Sequence, residues 1–357
     1  MTNIMSNSIE LARPEIRKLV PYSAAGYGDG MIRLNANETP WSAPGQNANA
    51  GLNRYPPEKP AELTDRLTEF YGVEPGELLA TRGSSEAIDL LIRGFCAAGQ
   101  DAVVICPPTF GMYRVYADIQ GARVQEIPLL KAQGFALDAD EIARNWPADG
   151  KLLFICSPNN PTGNSIPTDQ LNLLASLLAG RALVVIDAAY AEFAAEDPTL
   201  ELLRSADNDN IVVLRTLSKA FGLAGARCGA LLGPENIVSM ISCLMPPYAF
   251  SSPTLEAVLA SLTPAAQAEM ASRVEVICAE RERLATALET LPGITKVWPS
   301  DANFLLVDAA DTERCSELAR RGGVLIRNFG WQLPGSLRIT VGDRSDNDRL
   351  LESLAEL

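Results

Sequence analysis

A lysine near the middle of the chain follows a hydroxyl residue, and its amine could do covalent chemistry. Lys219 comes directly after Ser218, and Arg227 stands eight residues further on, among small residues. A lysine amine becomes nucleophilic when burial or neighbouring cations lower its pKa. A hydroxyl and a guanidinium can hold a phosphate ester, which carries close to two negative charges at neutral pH. The spacing therefore predicts a covalent site for pyridoxal 5′-phosphate (PLP). On its own, the segment could also be a helix start after a strand, with Lys219 and Arg227 as solvated charges.

Two apolar runs end in polar residues that could bind the rest of such a cofactor. Residues 182–186 are Val- and Ile-rich and lead directly into Asp187, with Tyr190 three residues later. A continuous run of this kind indicates a strand buried on both faces of a parallel sheet. Asp187 could pair with a protonated ring nitrogen, which makes PLP an electron sink. The run 152–156 leads to Asn160, whose amide could donate to the cofactor's phenolic oxygen, as could the Tyr190 hydroxyl.

A third segment, 82–86, has the sequence Arg-Gly-Ser-Ser-Glu and opens a predicted helix. Ser84 or Ser85 is predicted to be the N-cap. The apolar residues that follow at helical spacing are Ala87, Ile88, Leu91, Ile92 and Phe95. Free N–H groups and the helix dipole make such a terminus an anion site. A Gly-Ser-Ser turn more often simply starts a helix, and an Asp at a strand end is commonly structural, but the segments in this order are more specific together.

Over essentially its whole length the chain resembles the fold-type I, PLP-dependent aminotransferases of the aspartate aminotransferase superfamily. Within them it is most similar to the histidinol-phosphate aminotransferase family. The Asn-Pro-Thr-Gly turn and the Ser-Lys…Arg segment carry the first resemblance, and two N-terminal motifs carry the second. The matching segments are 34–38, 53–56, 82–83, 106–113, 157–163, 216–229 and 337–342.

The resemblance implies a role for each residue around the cofactor. Lys219 would bind PLP as a Schiff base and then carry a proton between substrate and cofactor. Asp187 would keep the pyridine nitrogen protonated, and Asn160 and Tyr190 would bind the phenolic oxygen. Phe110 would stack on the ring. The residues implied to hold the phosphate are Ser84, Ser85, Thr216, Ser218 and Arg227.

Further matches concern the substrate and a second subunit. Tyr55 matches a residue that reaches the cofactor phosphate of the neighbouring subunit, which implies a homodimer with a shared active site. Arg338 matches the arginine that binds the amino donor's α-carboxylate, and Arg327 one that meets the substrate phosphate or the distal carboxylate of glutamate. The residues implied to lie near the substrate are Tyr22, Asn35 and Tyr248. Without the resemblance, Tyr55 could lie in a surface turn, Arg338 in a surface ion pair, and Tyr22 and Tyr248 on the surface.

Two positions depart from the family pattern. Phe110 stands where a tyrosine is usual, so a phenol hydroxyl is missing while ring stacking needs only the face. Ala188 stands where a glutamate is common. That carboxylate is not the partner of the pyridine nitrogen, so we expect the chemistry to be retained.

Composition narrows the class of protein. The net charge of −14 argues against nucleic-acid binding. The chain has no histidine, which excludes Ser-His-Asp and Cys-His nucleophile systems and histidine-ligated zinc within it. Its seven cysteines form no Cys-x-x-Cys pair, so we expect no metal site. An odd cysteine count, no signal-peptide pattern in the first 20 residues and no apolar run approaching 18 residues predict a cytoplasmic protein without a membrane association.

The elements that must position these residues follow from apolar patterning. Strands are predicted at 102–105, 152–156, 182–186, 211–214 and 229–232, alternating with helical stretches, which indicates an α/β fold with a mainly parallel, doubly wound sheet. Beyond 251 a long charged helix over 269–291 precedes a smaller α+β region. Its predicted elements are strands 295–298, 303–307, 323–327 and 336–341 and a helix over 312–321. We expect a segment 1–50 that joins the small domain, a large PLP-binding domain 51–250 and a small domain 251–357 with a bridging helix.

The resemblance implies amino-group transfer between L-histidinol phosphate and 2-oxoglutarate, in histidine biosynthesis. Aromatic amino-acid aminotransferases and a threonine-phosphate decarboxylase use the same scaffold and the same Lys, Asp, Asn and Arg positions, so they remain alternatives. A PLP-sensing regulator is disfavoured because it would carry a basic DNA-binding domain. A catalytically inactive relic of the fold is disfavoured because the catalytic parts are present.

Overall fold

The computed structural model describes residues 8–22, 31–45, 51–205 and 208–357. Its strands are β1 (Leu78–Thr81), β2 (Ala102–Ile105), β3 (Arg123–Glu126), β4 (Gly150–Cys156), β5 (Leu183–Asp187), β6 (Ile211–Thr216), β7 (Gly229–Leu232), β8 (Ile294–Val297), β9 (Phe304–Ala309), β10 (Arg327–Asn328) and β11 (Ser336–Thr340). Its helices are α1 (Ala61–Tyr71), α2 (Ser84–Phe95), α3 (Met112–Gln120), α4 (Ala139–Arg144), α5 (Thr168–Leu177), α6 (Thr199–Arg204), α7 (Glu235–Ser242), α8 (Ser252–Ser261), α9 (Pro264–Glu289), α10 (Thr312–Arg321) and α11 (Arg344–Leu354). Single 3₁₀ turns lie at Ser8–Leu11, Lys131–Gln133 and Ala191–Phe193.

The large sheet has seven strands in the order β1-β7-β6-β5-β4-β2-β3. The pairs from β6 through β3 are parallel, and β7 runs antiparallel to both of its neighbours. Strands β4, β5 and β6 are therefore adjacent and point the same way. Their carboxyl ends meet at one edge of the sheet, which is where open α/β sheets bind ligands.

The central strands are buried on both faces. Alternate side chains of β4 point to opposite sides: Leu153 and Ile155 join one apolar cluster, while Leu152 and Phe154 join another. Helices cover both faces of the sheet, so its strands read as continuous apolar runs.

The second sheet has four antiparallel strands in the order β10-β11-β9-β8. Its apolar face packs in a separate cluster that includes Leu305 and Leu337 of the sheet and Leu318 of α10. The sequence-based fold class, a mainly parallel doubly wound sheet with a smaller α+β part, is confirmed.

Some element predictions need correction. Of the strand predicted over 323–327, only Arg327 lies in a strand, the two-residue β10, because Gly322 and Gly323 follow α10 in a turn in which Gly323 has a φ of +81°. Strands β1 and β3 have no predicted counterpart. The long helix begins earlier than predicted, at Pro264, and the helix predicted over 312–321 is present as α10.

The division into segments 1–50, 51–250 and 251–357 remains a proposal, and residues 1–7, 23–30 and 46–50 of the first segment lie outside the described part of the chain. Within the described ranges, no helix combines the length and the apolar composition needed to cross a membrane.

Candidate active site

A pocket of about 320 Å³ lies at the carboxyl ends of β4, β5 and β6. The sheet register aligns the last residues of these strands, with Cys156 opposite Asp187 and Asp187 opposite Leu214. The pocket is lined by Ser84, Ser85, Phe110, Cys156, Asn160, Asp187, Ala189, Tyr190, Thr216, Ser218, Lys219, Ala224, Arg227 and Arg338. Most of the residues predicted to contact a cofactor thus come together in one place.

Asp187 lies buried in the pocket with its two oxygens in different environments. The Tyr113 hydroxyl donates a hydrogen bond to Oδ2 at 2.8 Å, whereas Oδ1 is buried and has no hydrogen-bond partner among the described residues. Burial raises the pKa of Asp187 to about 6, although the Tyr113 hydroxyl, the Ala189 N–H and the Lys219 charge act in the opposite direction. The unpaired oxygen suits a cationic N–H donor.

Lys219 supplies an amine that is easily deprotonated. Burial lowers its pKa, and Arg338 and Arg227 lower it further. The charge of Asp187 opposes these effects. The Lys219 Nζ atom lies 5.4 Å from the centroid of the Tyr190 ring. The lysine is thus partly desolvated and flanked by cations, as the sequence predicts for a nucleophilic amine.

Asn160, Tyr190 and Arg338 form a hydrogen-bonded chain along one wall of the pocket. Arg338 Nη1 donates to Asn160 Oδ1 at 2.5 Å, and Asn160 Nδ2 donates to the Tyr190 hydroxyl at 3.2 Å. Burial raises the pKa of Tyr190, so its hydroxyl stays protonated at neutral pH. These hydrogen bonds connect the end of the large sheet with β11 of the small sheet, which fixes both relative to the pocket.

An anion cradle forms where α2 begins. Arg227 Nη1 donates to Ser218 Oγ at 3.2 Å, and Thr216 Oγ1 lies 3.0 Å from Ser218 Oγ. Gly83 has a φ of +79°, and a Cβ there would lie 2.8 Å from Arg227 Nη2. The predicted N-cap is wrong: Gly83, which has no side chain, is the N-cap residue of α2. The N–H groups of Ser84 and Ser85 can therefore serve a ligand.

Arg227 itself is held in an unusual backbone conformation, with a φ of +55°. A non-glycine residue in this region costs about 1–3 kcal/mol, and such strain concentrates at functional sites. Here it points the guanidinium toward Ser218 and the start of α2, which supports a function in anion binding.

Two arginines stand side by side at the small-sheet side of the pocket. Arg327 pairs with Arg338 across the antiparallel β10–β11 ladder. Burial lowers the pKa of Arg338, and the charge of Arg327 adds to the effect. Arg338 lies over the rings of Phe304 and Phe329, at 5.3 and 5.1 Å from their centroids. Like charges directly opposite on a ladder are unfavourable, so the pair suits a ligand with two anionic groups.

Five predicted site residues lie outside the lining of this pocket. Arg327 is one step away on β10. Tyr22 and Asn35 are exposed, and Tyr55 stacks on Tyr248 with ring centroids 4.6 Å apart and planes 24° apart. The described part of one chain therefore does not bring Tyr22, Asn35 or Tyr55 into the lining of the cofactor pocket.

The environment of Tyr55 is built around a buried carboxylate. Glu38 pairs with Arg33 at 2.7 Å and with Arg54 at 2.9 Å, and it accepts a hydrogen bond from the Tyr55 N–H at 2.8 Å. Its side chain is 2% exposed. Burial alone would raise the pKa of Glu38, but the Tyr55 N–H and the two arginines lower it. We call Arg33, Glu38, Arg54 and Tyr55 the N-terminal cluster.

Sequence reasoning missed the contact of Tyr113 with Asp187. The residue lies in the quoted segment 106–113, but only Phe110 was given a function there. Phe110 precedes α3, so no helical spacing links it to Tyr113, and the contact of Tyr113 with Asp187 has no local signal in the sequence. Ala188, which replaces a glutamate of the family pattern, is buried in the apolar core and needs no polar partner.

The pocket fits PLP. The unpaired Asp187 oxygen suits a protonated ring nitrogen, the Asn160–Tyr190 pair suits a phenolic oxygen, and the cradle of Gly83, Ser218 and Arg227 suits a phosphate. Phe110 lines the same pocket and offers a ring face.

Comparison with known proteins identifies relatives over the same residues. The family model "Aminotransferase class I and II" matches residues 31–354. A histidinol-phosphate aminotransferase of Stenotrophomonas maltophilia (strain R551-3) is 40% identical over 353 residues, which cover 97% of this chain and 96% of the relative. This chain also superimposes on solved structures.

One such structure is a putative histidinol-phosphate aminotransferase from Erwinia carotovora atroseptica SCRI1043, with a TM-score of 0.76, 25% identity, and coverage of 94% of this chain and 98% of the other. A histidinol-phosphate aminotransferase from Sinorhizobium meliloti, solved in complex with pyridoxal-5′-phosphate, shares the fold with a TM-score of 0.76 at 24% identity, covering 87% of this chain and 84% of the other. Because the family model and a full-length relative both match nearly the whole chain, this protein belongs to the class I and II aminotransferases, which are PLP-dependent enzymes.

Proposed function

We propose that this protein transfers an amino group reversibly between L-histidinol phosphate and 2-oxoglutarate, giving imidazole acetol phosphate and L-glutamate, in histidine biosynthesis. The observation that carries the proposal is the adjacent pair Arg327 and Arg338 beside the pocket. Both amino donors, L-histidinol phosphate and L-glutamate, must place an amine near Lys219 and a distal anion further out. Each guanidinium group can bind a carboxylate or a phosphate bidentately. The 40% identical relative carries the same name as the proposed activity.

Different pocket residues would have different functions in catalysis. PLP, when bound, supplies an electron sink for negative charge that develops at the substrate Cα. Lys219 would hold the cofactor covalently, and as a neutral amine it would carry a proton from and to the substrate Cα. Burial and the neighbouring arginines lower the pKa of Lys219, which favours the neutral amine that this step needs. Asp187 stabilises the protonated ring nitrogen with its unpaired oxygen.

The other residues bind and orient. The Asn160–Tyr190 pair would hold the phenolic oxygen of PLP, and Phe110, which lines the same pocket, would pack on its ring. Arg338 would bind the α-carboxylate of L-glutamate, and Arg327 would bind the phosphate of L-histidinol phosphate or the distal carboxylate of glutamate. The residues proposed for the phosphate are Ser84, Ser85, Thr216, Ser218 and Arg227.

We also propose that the active form is a homodimer with shared active sites. Tyr55 lies outside the pocket of its own chain, and the segments around it expose several large apolar side chains, as a subunit interface would require. Tyr55 would then reach the phosphate of the partner's cofactor, and Tyr22, Asn35 and Tyr248 would approach the substrate there. A cytoplasmic location remains a prediction from the sequence.

The test is a single-turnover spectrum of the purified, PLP-loaded protein. We expect micromolar L-histidinol phosphate to change the absorbance of the bound cofactor and 2-oxoglutarate to reverse the change. Lys219→Ala should abolish the cycle. If only L-phenylalanine produced the change, or if carbon dioxide were released without an oxo-acid acceptor, the proposed substrate would be wrong.

A matched pair of variants tests the anion site. Arg327→Gln should raise the KM for L-histidinol phosphate by about 10- to 100-fold, because a charged hydrogen bond is worth about 1.5–3 kcal/mol. Arg321→Gln is the control: this exposed arginine of α10 pairs with Glu317 and lies outside the pocket lining. Equal KM values for the two variants would contradict the assignment of Arg327.

A further inference from the structure

Tyr113 lies directly behind Asp187, on the side away from the pocket lining. It is fully buried in the first turn of α3. Its ring stacks on Phe154, with centroids 4.8 Å and planes 14° apart, and meets Phe110 edge-on at 5.6 Å and 84°. Contacts on two sides fix the ring, so its hydroxyl has one accessible position, 2.8 Å from Asp187 Oδ2.

The Tyr113 hydroxyl acts as a donor at every physiological pH. Burial raises the pKa of Tyr113 well above its usual value, and the neighbouring Asp187 and Cys156 raise it further. A hydroxyl has one proton to donate. It goes to Oδ2, while Oδ1 has no hydrogen-bond partner among the described residues. The two oxygens of the carboxylate are thereby made different.

We propose that Tyr113 is a positioning residue, which holds Asp187 by one oxygen so that the other faces the ring nitrogen of the cofactor. The inference rests on the proposed function. Rotation of the carboxylate would exchange its oxygens, but rotation breaks the hydrogen bond from Tyr113. Through its edge contact with Phe110, the same ring also supports the residue that packs on the cofactor. One buried side chain thus orients two of the groups that contact PLP.

The proposal has a predictable electrostatic consequence. The ionisable groups that face Asp187 are Tyr113 on α3, Cys156 on β4, Tyr190 after β5 and Lys219 after β6. Tyr113 stabilises the charged carboxylate and lowers its pKa against the effect of burial. Without the hydroxyl, the carboxylate binds a proton more tightly, and a ring nitrogen in contact with it keeps its own proton less firmly. A ring that holds its proton less firmly withdraws less electron density from the rest of the cofactor. The pH at which the cofactor absorbance changes should therefore move upward.

The experiment is a pH titration of the cofactor absorbance in the PLP-loaded enzyme. Tyr113→Phe removes only the hydroxyl and keeps both ring contacts. We expect its absorbance midpoint to rise by about 0.5–1 pH unit and kcat to fall about 3- to 10-fold with little change in KM, because a hydrogen bond to a charged group is lost. Tyr71→Phe is the matched control: Tyr71 is another buried tyrosine and lies outside the pocket lining.

A ring with a different donor sharpens the test. Para-aminophenylalanine at position 113 keeps the ring shape and offers an N–H donor, so it should return the midpoint toward the wild-type value. A Tyr113→Phe enzyme that titrates like wild type, or a Tyr71→Phe enzyme that shifts equally, would overturn the positioning role while the proposed function stands. A wild-type protein that forms no absorbing complex with PLP would overturn both.

Discussion

The cofactor pocket and the N-terminal cluster are both built around a buried carboxylate, but they differ in their surroundings. Asp187 lies at the end of a central strand, enclosed by residues from β4, β6 and α3. Glu38 is equally enclosed by Arg33, Arg54 and the Tyr55 N–H. Around the cluster, however, Ile32, Leu34 and Trp41 are 87%, 90% and 76% exposed.

The two carboxylates differ in what they can still bind. One oxygen of Asp187 has no hydrogen-bond partner among the described residues and can therefore bind a ligand. The oxygens of Glu38 instead contact arginines and the backbone of the same chain. The cluster is therefore suited to hold Tyr55 in place for a partner, and its exposed apolar neighbours are suited to bury against a second copy of this chain.

The largest expected effect comes from mixing two defective subunits. Lys219→Ala should reduce activity by a factor on the order of 10⁴ or more, as the loss of a catalytic nucleophile does, and Tyr55→Phe should weaken PLP binding by about 10-fold. In a hybrid dimer carrying one change per subunit, the subunit with Lys219 receives an intact Tyr55 from its partner. We expect half of the wild-type activity and wild-type PLP affinity at that site, measured on doubly tagged, purified hybrids.

The hybrid also tests whether Tyr55 acts within its own chain. If Tyr55 acted within its own chain, the active subunit of the hybrid would keep the weak PLP binding of Tyr55→Phe. The N-terminal cluster would then be part of a complete site, and the dimer would have no shared residue at Tyr55. Homodimers of each variant, assayed beside the hybrid, provide the controls.

A second prediction concerns the stability of the cofactor-free pocket. The pKa of Asp187 is about 6 in the folded protein and about 3.9 in an unfolded chain. The folded state therefore binds the extra proton between these values, and stability should fall as the pH rises from about 4 to 6. Asparagine is neutral at every pH and can still accept from Tyr113. Asp187→Asn should therefore be more stable than wild type at pH 7.5 by about 1–3 kcal/mol, although inactive.

Urea unfolding of the two cofactor-free proteins at pH 4 and pH 7.5 measures this difference. Asp118→Asn, an exposed change on α3, is the control and should leave the free energy of unfolding unchanged. Equal stabilities of wild type and Asp187→Asn at pH 7.5 would show that burying the charged Asp187 carboxylate does not lower the free energy of unfolding.

How far the sequence predicts each region depends on how local the signal is. Asp187 and Asn160 follow long apolar runs, so their positions at neighbouring strand ends could be predicted. Strand β3 could not be, because this edge strand has exposed and half-buried residues and no apolar run.

Contacts that join distant segments carry no local signal. The bond from Tyr113 to Asp187 spans 74 residues, and the pairing of Arg327 with Arg338 depends on the register of a two-residue strand. The N-cap of α2 was predicted as a serine because serine is a common cap, but the anion cradle needs the space that only Gly83 leaves beside Arg227. Such features follow from tertiary packing and from the ligand.

The smallest predicted effect tests whether the N-terminal cluster acts through Tyr55. Glu38→Gln keeps the shape and an oxygen for the Tyr55 N–H but removes the charge that pairs with both arginines. Because the Tyr55 hydroxyl itself is unchanged, PLP affinity should fall only about 2- to 5-fold, less than in Tyr55→Phe.

The effect of Glu38 should depend on pH. The pKa of Glu38 is lowered in the folded chain, so the stabilisation that its charge gives is present above pH 4 to 5 and is lost as the pH falls through the lowered value. PLP affinity measured by equilibrium dialysis should therefore differ between wild type and Glu38→Gln at pH 7.5 and converge in acid. Glu62→Gln, an exposed change on α1, should bind PLP like wild type, and a Glu38→Gln protein that did the same would show that the buried carboxylate maintains the fold of the segment without positioning Tyr55.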